Sequence, residues 1–144
     1  MTLSNTCKAA IKAVIYLASK HHDNVKSTIK EIAIEIKENE HTVGKLLQSL
    51  VRQGVINSNK GPSGGFYLTD DQFNQPISAI IFAIDGKNVF NKCGLGLEKC
   101  NEEHPCPLHF EFKRGRDIIE KLYRKKLVSE LCASVNNGEA FLAY

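Results

Sequence analysis

The stretch spanning residues 93–109 restricts the fold more than any other part of the chain. It holds three of the five cysteines, separated by gaps of six and five residues, and a histidine follows the last cysteine after a gap of two. It also contains glycines and prolines and has no sustained apolar period, so we predict a loop. The side chains of such a loop are free to converge on one point.

Thiols and an imidazole that meet in space are ligands for an iron–sulfur cluster or for zinc. Zinc sites usually contain at least one close Cys-x2–4-Cys pair, which is missing here. The wide gaps favour a larger inorganic core, and we therefore predict an iron–sulfur cluster. Three other interpretations stay open: a zinc site, a thiol or disulfide switch without metal, and ordinary buried thiols. The candidate ligands are Cys93, Cys100, Cys106 and His109.

The composition is that of one domain with an appended helix, because 144 residues with 42% apolar content suffice for a core. The odd cysteine number, the absence of an N-terminal signal and the absence of a membrane-length apolar run predict a cytoplasmic protein without a membrane partner. Residues 1–70 carry nine Lys/Arg against six Asp/Glu, and this basic excess is compatible with nucleic-acid binding.

The first half of the chain predicts a helix-turn-helix. A first helix over residues 5–20 is followed by Thr28 and Glu31, which have the spacing of a capping box, and by Asn39 as an N-cap. The helix after Asn39 has one apolar stripe, and Gly54 ends it. Two short helices joined by a turn, the second with a polar outer face, are typical of this motif. That outer face consists of His41, Thr42, Lys45, Gln48, Ser49 and Arg52.

A glycine-rich hairpin follows. Residues 55–59 and 65–68 are predicted to be paired strands, with Lys60, Gly61, Pro62, Ser63 and Gly64 between them. A small, positively charged tip can approach a phosphate backbone or a narrow minor groove. The hairpin is therefore predicted to be the wing of a winged helix.

The second half is predicted to be helical on both sides of the cysteine loop. Pro76 opens a helix that ends at Asp85 and Gly86. A last helix over 107–132, about 35 Å long, is too long for this domain to cover, so we expect a homodimer. Its apolar seam is Leu108, Phe112, Ile119 and Leu122, with Gly115 in the skipped place, and its arginines, Arg116 among them, are expected on the solvated face.

The predicted fold class is mainly α with a small β-hairpin wing: a winged helix-turn-helix with a long C-terminal dimerisation helix. Residues 1–86 form the DNA-binding domain, 87–106 the cluster-binding loop, 107–132 the dimerisation helix and 133–144 a loose tail. No paired carboxylates, nucleophile–base pattern or phosphate loop is present, so an enzyme is not expected. A cluster-carrying electron-transfer protein is the rival class, and it has no use for the wing.

The segment from Leu50 to Ile56, followed by Lys60-Gly61-Pro62-x-Gly64-Gly65 and an aromatic residue, resembles the wing signature of the Rrf-type winged-helix regulators. These include IscR, NsrR and CymR, and the cysteine loop is most similar to that of the IscR branch. The resemblance covers about residues 1–131. It implies a dimeric regulator that binds a double-stranded DNA operator under control of a cluster, with [2Fe–2S] favoured over [4Fe–4S].

Carried over residue by residue, the resemblance again gives Cys93, Cys100, Cys106 and His109 as ligands, with Cys7 as an alternative fourth ligand from the partner subunit. The chain departs from the family at Ser63, where glycine is usual, and at Gly44, where a base-reading Glu is usual, so its preferred DNA sequence is expected to differ. The expected DNA contacts are Thr28, Asn39, His41, Thr42, Lys45, Lys60, Gly61, Ser63 and Gly64.

Overall fold

The computed structural model describes residues 3–98 and 100–143, so the outer ends of the first and last predicted domains, residues 1 and 144, lie outside the described residues. Within it the chain forms α-helices and one two-stranded antiparallel sheet, which confirms the predicted fold class. A 3-10 helix, Lys87–Asn91, precedes the cysteine loop. The other elements are α1 Asn5–Ser19, α2 Ile29–Ile36, α3 Glu40–Arg52, β1 Asn57–Asn59, β2 Gly65–Tyr67, α4 Asp70–Phe73, α5 Ile77–Asp85, α6 His109–Lys125 and α7 Val128–Asn136.

The helix-turn-helix forms where the caps predict it. The Asn39 side chain accepts a hydrogen bond from the backbone N–H of Thr42, and the Thr28 hydroxyl accepts one from that of Glu31. The predicted capping box is only half formed, because the Glu31 carboxylate accepts from the Thr28 hydroxyl at 3.1 Å. The two helices are joined by a turn in which Lys37 has a left-handed φ of 55°.

The core is organised around α1, which packs against α2, α3, α5 and α7. The apolar stripe of α3 and the inner face of α5 both reach this centre. Burial of these side chains removes apolar area from water, the main favourable contribution to folding. The fully buried large side chains include Val14, Leu17, Ile32, Ile36, Val43, Leu47, Leu50, Ile77, Ile80 and Ile81.

The wing strands are shorter than predicted and pair from Asn57 with Tyr67 to Asn59 with Gly65. A further bridge joins Phe66 to Ser27, through backbone hydrogen bonds of 3.0 and 2.8 Å. A Cβ atom on Gly65 would lie 2.8 Å from the Ser27 carbonyl oxygen, so this approach requires glycine. The wing is thereby fastened to the segment that leads into α2.

The prediction of a single last helix over 107–132 was wrong. Residues Lys126 and Leu127 are extended, and Leu127 forms a bridge with Pro76. The N–H of Ile77 donates to the Lys126 carbonyl and the N–H of Val128 to the Gln75 carbonyl, both at 2.9 Å. This long-range pairing ends α6, and α7 folds back on α1.

Three smaller predictions also need correction. Pro76 is the N-cap of α5 and not its first helical residue. The proposed cluster loop over 87–106 begins with the 3-10 helix. The loose tail was predicted from residue 133, but α7 continues to Asn136.

Helix α6 has an unusual burial pattern. Its buried residues are the polar His109 and Arg116, whereas Ile118 and Leu122 are 69% and 52% exposed. Arg116 was predicted on the solvated face, and this was wrong because the cysteine loop covers it. Across the described parts of the chain, no helix combines the length and apolarity needed to span a membrane.

Candidate metal centre and nucleic-acid interface

The cysteine loop is anchored at its beginning by the 3-10 helix. Val89 and Phe90 are buried there, and the Phe90 ring lies 5.6 Å from that of Phe82 and 6.1 Å from that of Tyr123. Both distances are within the range of favourable aromatic contacts. The loop therefore leaves the core at a fixed point just before Cys93.

Cys93 lies in a tight turn closed by a 3.1 Å hydrogen bond from the Gly96 N–H to the Cys93 carbonyl. Backbone hydrogen bonds from Leu95, and next from Leu97, lower the pKa of the Cys93 thiol, and the Cys106 side chain adds to this effect. Amide hydrogens aimed at a sulfur favour its thiolate form. The thiolate is also the form that binds metals.

The same turn is seated on α6. A Cβ atom on Gly94 would lie 2.8 Å from the ring of Phe112, closer than real Cβ contacts, so only glycine fits without a shift. Phe112, which was predicted to belong to the dimer seam, therefore also forms the floor of the cysteine turn. The cysteine turn and α6 are therefore packed directly against each other.

Cys100 lies between two buried side chains of α6. Its sulfur is 3.3 Å from Nδ1 of His109 and 3.3 Å from a terminal guanidinium nitrogen of Arg116. The same nitrogen donates to the Lys92 carbonyl at 2.7 Å. His109 Nε2 and Arg116 Nε are buried and have no hydrogen-bond partner among the residues that the structure describes.

Arg116 carries a buried cation without a carboxylate. It is only 5% exposed, and no ion pair reaches it from the described residues. Burial of an uncompensated charge costs several kcal/mol. A thiol and a carbonyl do not neutralise it, so this site is suited to a negatively charged group beside Cys100.

Among the four predicted ligands, the structure places Cys100 against His109, and the His109 N–H donates to the Cys106 carbonyl at 3.0 Å. The Cys106 side chain also contributes to the lowered pKa of Cys93. In residues 3–98 and 100–143, no three Cys, His, Asp or Glu side chains are grouped as a metal site. The donor set and the unpartnered His109 Nε2 nevertheless fit a thiolate-rich cluster in their chemistry.

The other two cysteines are in the core. Cys7 is fully buried, and desolvation, reinforced by Asp85, raises the pKa of its thiol to about 12. Burial also raises the pKa of Cys132. Both thiols behave as small apolar side chains, which leaves Cys7 without a surface from which to reach a partner subunit.

We expect iodoacetamide to label Cys93 of the metal-free protein at least about tenfold faster than Cys7 or Cys132 at pH 7.5, because one pKa unit changes the thiolate fraction about tenfold. Cys93 is expected to react faster because its pKa is lowered, whereas the pKa values of Cys7 and Cys132 are raised by burial. Time-resolved alkylation with peptide mass spectrometry measures the rates. Equal labelling of Cys7 and Cys93 would contradict the two environments described above.

The proposed DNA-contacting residues of α3 form an exposed row. His41, Thr42 and Lys45 are all solvent-exposed, opposite the buried Val43 and Leu46. Thr28 and Asn39 are also exposed, but their side chains cap helices α2 and α3. Helix N-termini present free N–H groups, which suits contact with phosphates.

The wing tip is exposed and built from glycine geometry. Lys60 and Ser63 are exposed, and Gly61 has a φ of +101°. A Cβ atom on Gly64 would clash with the Asn59 carbonyl, so this turn also needs glycine. Lys60 therefore lies exposed at the tight glycine turn that forms the wing tip.

Sequence reasoning missed two polar residues. Arg116 is seven residues after His109, a spacing that places both on one face of a helix, so the signal existed. Lys26 lies beside the wing with its ammonium 5.5 Å from the centre of the Tyr67 ring. Its position follows from the Ser27–Phe66 bridge, which has no local sequence signature.

A helix-turn-helix followed by a glycine-tipped wing defines the class of winged-helix DNA-binding proteins. The particular family follows from the whole chain. A family model described as "Rrf2: Iron-dependent Transcriptional regulator" matches residues 3–134. The chain belongs to this family and is a transcription regulator, not an enzyme.

Known relatives agree with this assignment. An HTH-type transcriptional regulator of Aquifex aeolicus is 29% identical over 133 residues, covering 91% of each chain. IscR of Photorhabdus laumondii is 30% identical over 95 residues, covering 66% of this chain and 56% of its own.

Two solved structures share the fold. CymR, the global cysteine regulator of B. subtilis, superposes with a TM-score of 0.76 at 21% identity, over 92% of this chain and 97% of CymR. IscR of T. potens gives a TM-score of 0.74 at 15% identity, over 97% and 92%.

Proposed function

We propose that this Rrf2-family regulator binds its operator as a homodimer in the cytoplasm, under control of an iron–sulfur cluster held by Cys93, Cys100, Cys106 and His109. The observation that carries the proposal is the buried Arg116 cation beside Cys100, which has no carboxylate partner among the described residues. A cluster with cysteine thiolate ligands supplies the missing negative charge. The similarity to IscR supports the same assignment.

His109 is preferred over Cys7 as the fourth ligand. Nδ1 of His109 already contacts Cys100, and Nε2 is buried with no partner in residues 3–98 and 100–143. Cys7 is buried among apolar side chains, and its raised pKa disfavours the thiolate. A [2Fe–2S] cluster is favoured because the resemblance of the loop is to the IscR branch.

When bound, the cluster would supply redox and nitric-oxide reactivity. The residues around it provide the coupling to DNA. Gly94 packs closely against Phe112 of α6. Cys106 and Cys100 both contact His109, the first residue of α6. The conformation of the loop therefore acts on α6, which carries the exposed apolar surface proposed for the dimer. A change in dimer geometry alters the placement of the two copies of α3, and this is a two-state coupling between separate sites.

The dimer surface is proposed on α6. Ile118, Ile119 and Leu122 are exposed there. Ile119 and Leu122 also line a groove of about 590 Å³, together with Leu3, Ile11 and Leu131. Exposed contiguous apolar surface of this kind marks interfaces. A second copy offers the same surface, and two-fold symmetry lets it pair with itself.

A regulator without a cluster is the second candidate, and one observation favours it. The Cys106 side chain helps to lower the pKa of the Cys93 thiol, so these two thiols are neighbours. Hydrogen peroxide could oxidise them to a disulfide, with two electrons and two protons passing to the peroxide to give water. One fold neighbour, CymR, is a global cysteine regulator.

The two candidates are separated by purifying the protein without oxygen, recording the visible spectrum and counting iron and sulfide. Gel shifts of the loaded and metal-free forms on a selected operator then test control of DNA binding. We expect coloured protein whose affinity changes on loss of the cluster. Colourless, iron-free protein whose DNA binding changes with peroxide would instead establish the thiol switch.

The wing and α3 are expected to contribute differently to DNA binding. Lys60→Ala should weaken binding to all duplexes and lower the salt slope by about one charge, because phosphate contacts are independent of sequence. Thr42→Ala or Lys45→Ala should instead reduce the difference in binding free energy between the operator and a scrambled duplex. The expected reduction is about 1–3 kcal/mol for each base-specific interaction that the substitution removes. Salt-resolved titrations measure both effects.

The exposed Lys121 of α6 provides a matched control, and Lys121→Ala should leave affinity and salt slope unchanged. If the variants of Lys60, Thr42 and Lys45 all bind like wild type, these surfaces do not contact DNA. The DNA-contacting surface of this regulator would then lie elsewhere on the domain.

A further inference from the structure

The guanidinium of Arg116 is the most unusual charged group in the described part of the chain. It is buried in α6, and its hydrogen bonds to the described residues reach a backbone carbonyl, at Lys92, and the sulfur of Cys100. Its carbon also lies 5.9 Å from the centre of the Phe112 ring. These contacts fix the guanidinium against one particular sulfur.

The neighbouring Arg114 differs from Arg116 in its exposure to solvent. It lies two residues away on the same helix but is exposed to solvent. The chain thus contains one arginine directed at the cysteine site and a second of the same chemistry directed away from it. An exposed arginine such as Arg114 can be explained by its helix propensity or by general attraction to DNA. Neither reason explains why Arg116 is buried beside the cysteine site.

We propose that Arg116 is a positioning residue that sets the reduction potential of the cluster through its hydrogen bond to Cys100. This inference rests on the proposed function, since it assumes that Cys100 is a ligand. Reduction adds one electron to the cluster and makes the thiolate-ligated group more negative. A buried cation and a hydrogen bond to the sulfur both stabilise that added charge, so Arg116 raises the potential.

The buried position strengthens this effect. A charge that is shielded from water interacts more strongly with its neighbours than an exposed one and is less sensitive to salt. The link to the Lys92 carbonyl also holds the guanidinium in place, so the hydrogen bond to Cys100 does not depend on a freely moving side chain.

The test compares anaerobically loaded wild type, Arg116→Gln, Arg116→Lys and Arg114→Gln by optical redox titration. We expect Arg116→Gln to lower the equilibrium constant for reduction at least about tenfold, which is about 59 mV for a one-electron couple. Arg116→Lys keeps the charge and should give a smaller shift. Arg114→Gln should titrate like wild type, and circular dichroism checks that every variant folds.

The outcomes separate this inference from the proposed function. Wild type that takes up no cluster overturns both. A loaded Arg116→Gln variant with the wild-type potential, or an equal shift in Arg114→Gln, overturns only the role of Arg116. If folded Arg116→Gln fails to load while Arg114→Gln loads, the side chain is needed to hold the site, which supports its placement there. In that case the reduction potential of Arg116→Lys is compared with that of wild type.

Discussion

Replacing Cys93, Cys100 or Cys106 with alanine is expected to abolish the visible absorption of the anaerobically prepared protein. Each thiol is partly exposed in the loop, and none has a structural role in the apolar core that would explain its position. A cluster needs the full ligand set, so loss of one thiolate should remove most of the bound iron. Absorption spectra with iron and sulfide counts provide the measurement.

Cys132→Ala is the matched control, because this buried thiol lies on α7 and should leave the colour unchanged. Cys7→Ala and His109→Ala decide the fourth ligand. We expect bleaching or a changed spectrum only for His109→Ala. If only Cys7→Ala bleaches the protein, the fourth ligand is the Cys7 thiolate of the partner subunit and not His109. Colourless wild type with stoichiometric zinc would refute the cluster altogether.

The double substitution Ile118→Glu/Leu122→Glu is expected to convert the dimer into a monomer and to lower operator affinity about a thousandfold or more, to the level of non-specific binding. Charged side chains cannot be buried in an apolar interface without a partner. A monomer contacts a single half-site and loses the contribution of the second recognition helix. Sedimentation analysis gives the mass, and titration of operator DNA gives the affinity.

Ile34 provides a control for the oligomeric state. It is 65% exposed, similar to Ile118, but belongs to α2 and is not one of the residues that line the groove beside α6. Ile34→Glu should leave the mass unchanged. A folded double variant on α6 that remains a dimer would move the interface away from this helix.

Local signals were sufficient for the elements that carry their own caps and turns. Asn39 caps α3 through a hydrogen bond to the backbone three residues later, and Gly54 follows the helix with a left-handed φ of 76°. Both features depend on residues within one turn of chain. The helix-turn-helix and the wing could therefore be predicted almost to their ends.

The rest depended on contacts between distant segments. Nothing in residues 124–128 marks a helix end, yet pairing with the segment at Pro76 breaks the last helix there. At the site, the spacing proposes the candidate ligands, but it does not show that Cys100 lies against His109 and Arg116. Arg116 was assigned to solvent because a charged helical residue usually is exposed, and only the folded loop covers it.

The bridge between Pro76 and Leu127 gives α6 one fixed end. Backbone hydrogen bonds hold that end to the start of α5, whereas the other end, at His109, contacts Cys100 and Cys106 of the cysteine loop. With 17 residues at about 1.5 Å each, α6 is roughly 25 Å long. A change in how the loop packs Gly94 against Phe112 is therefore expected to shift the His109 end of α6 more than the end held by the bridge.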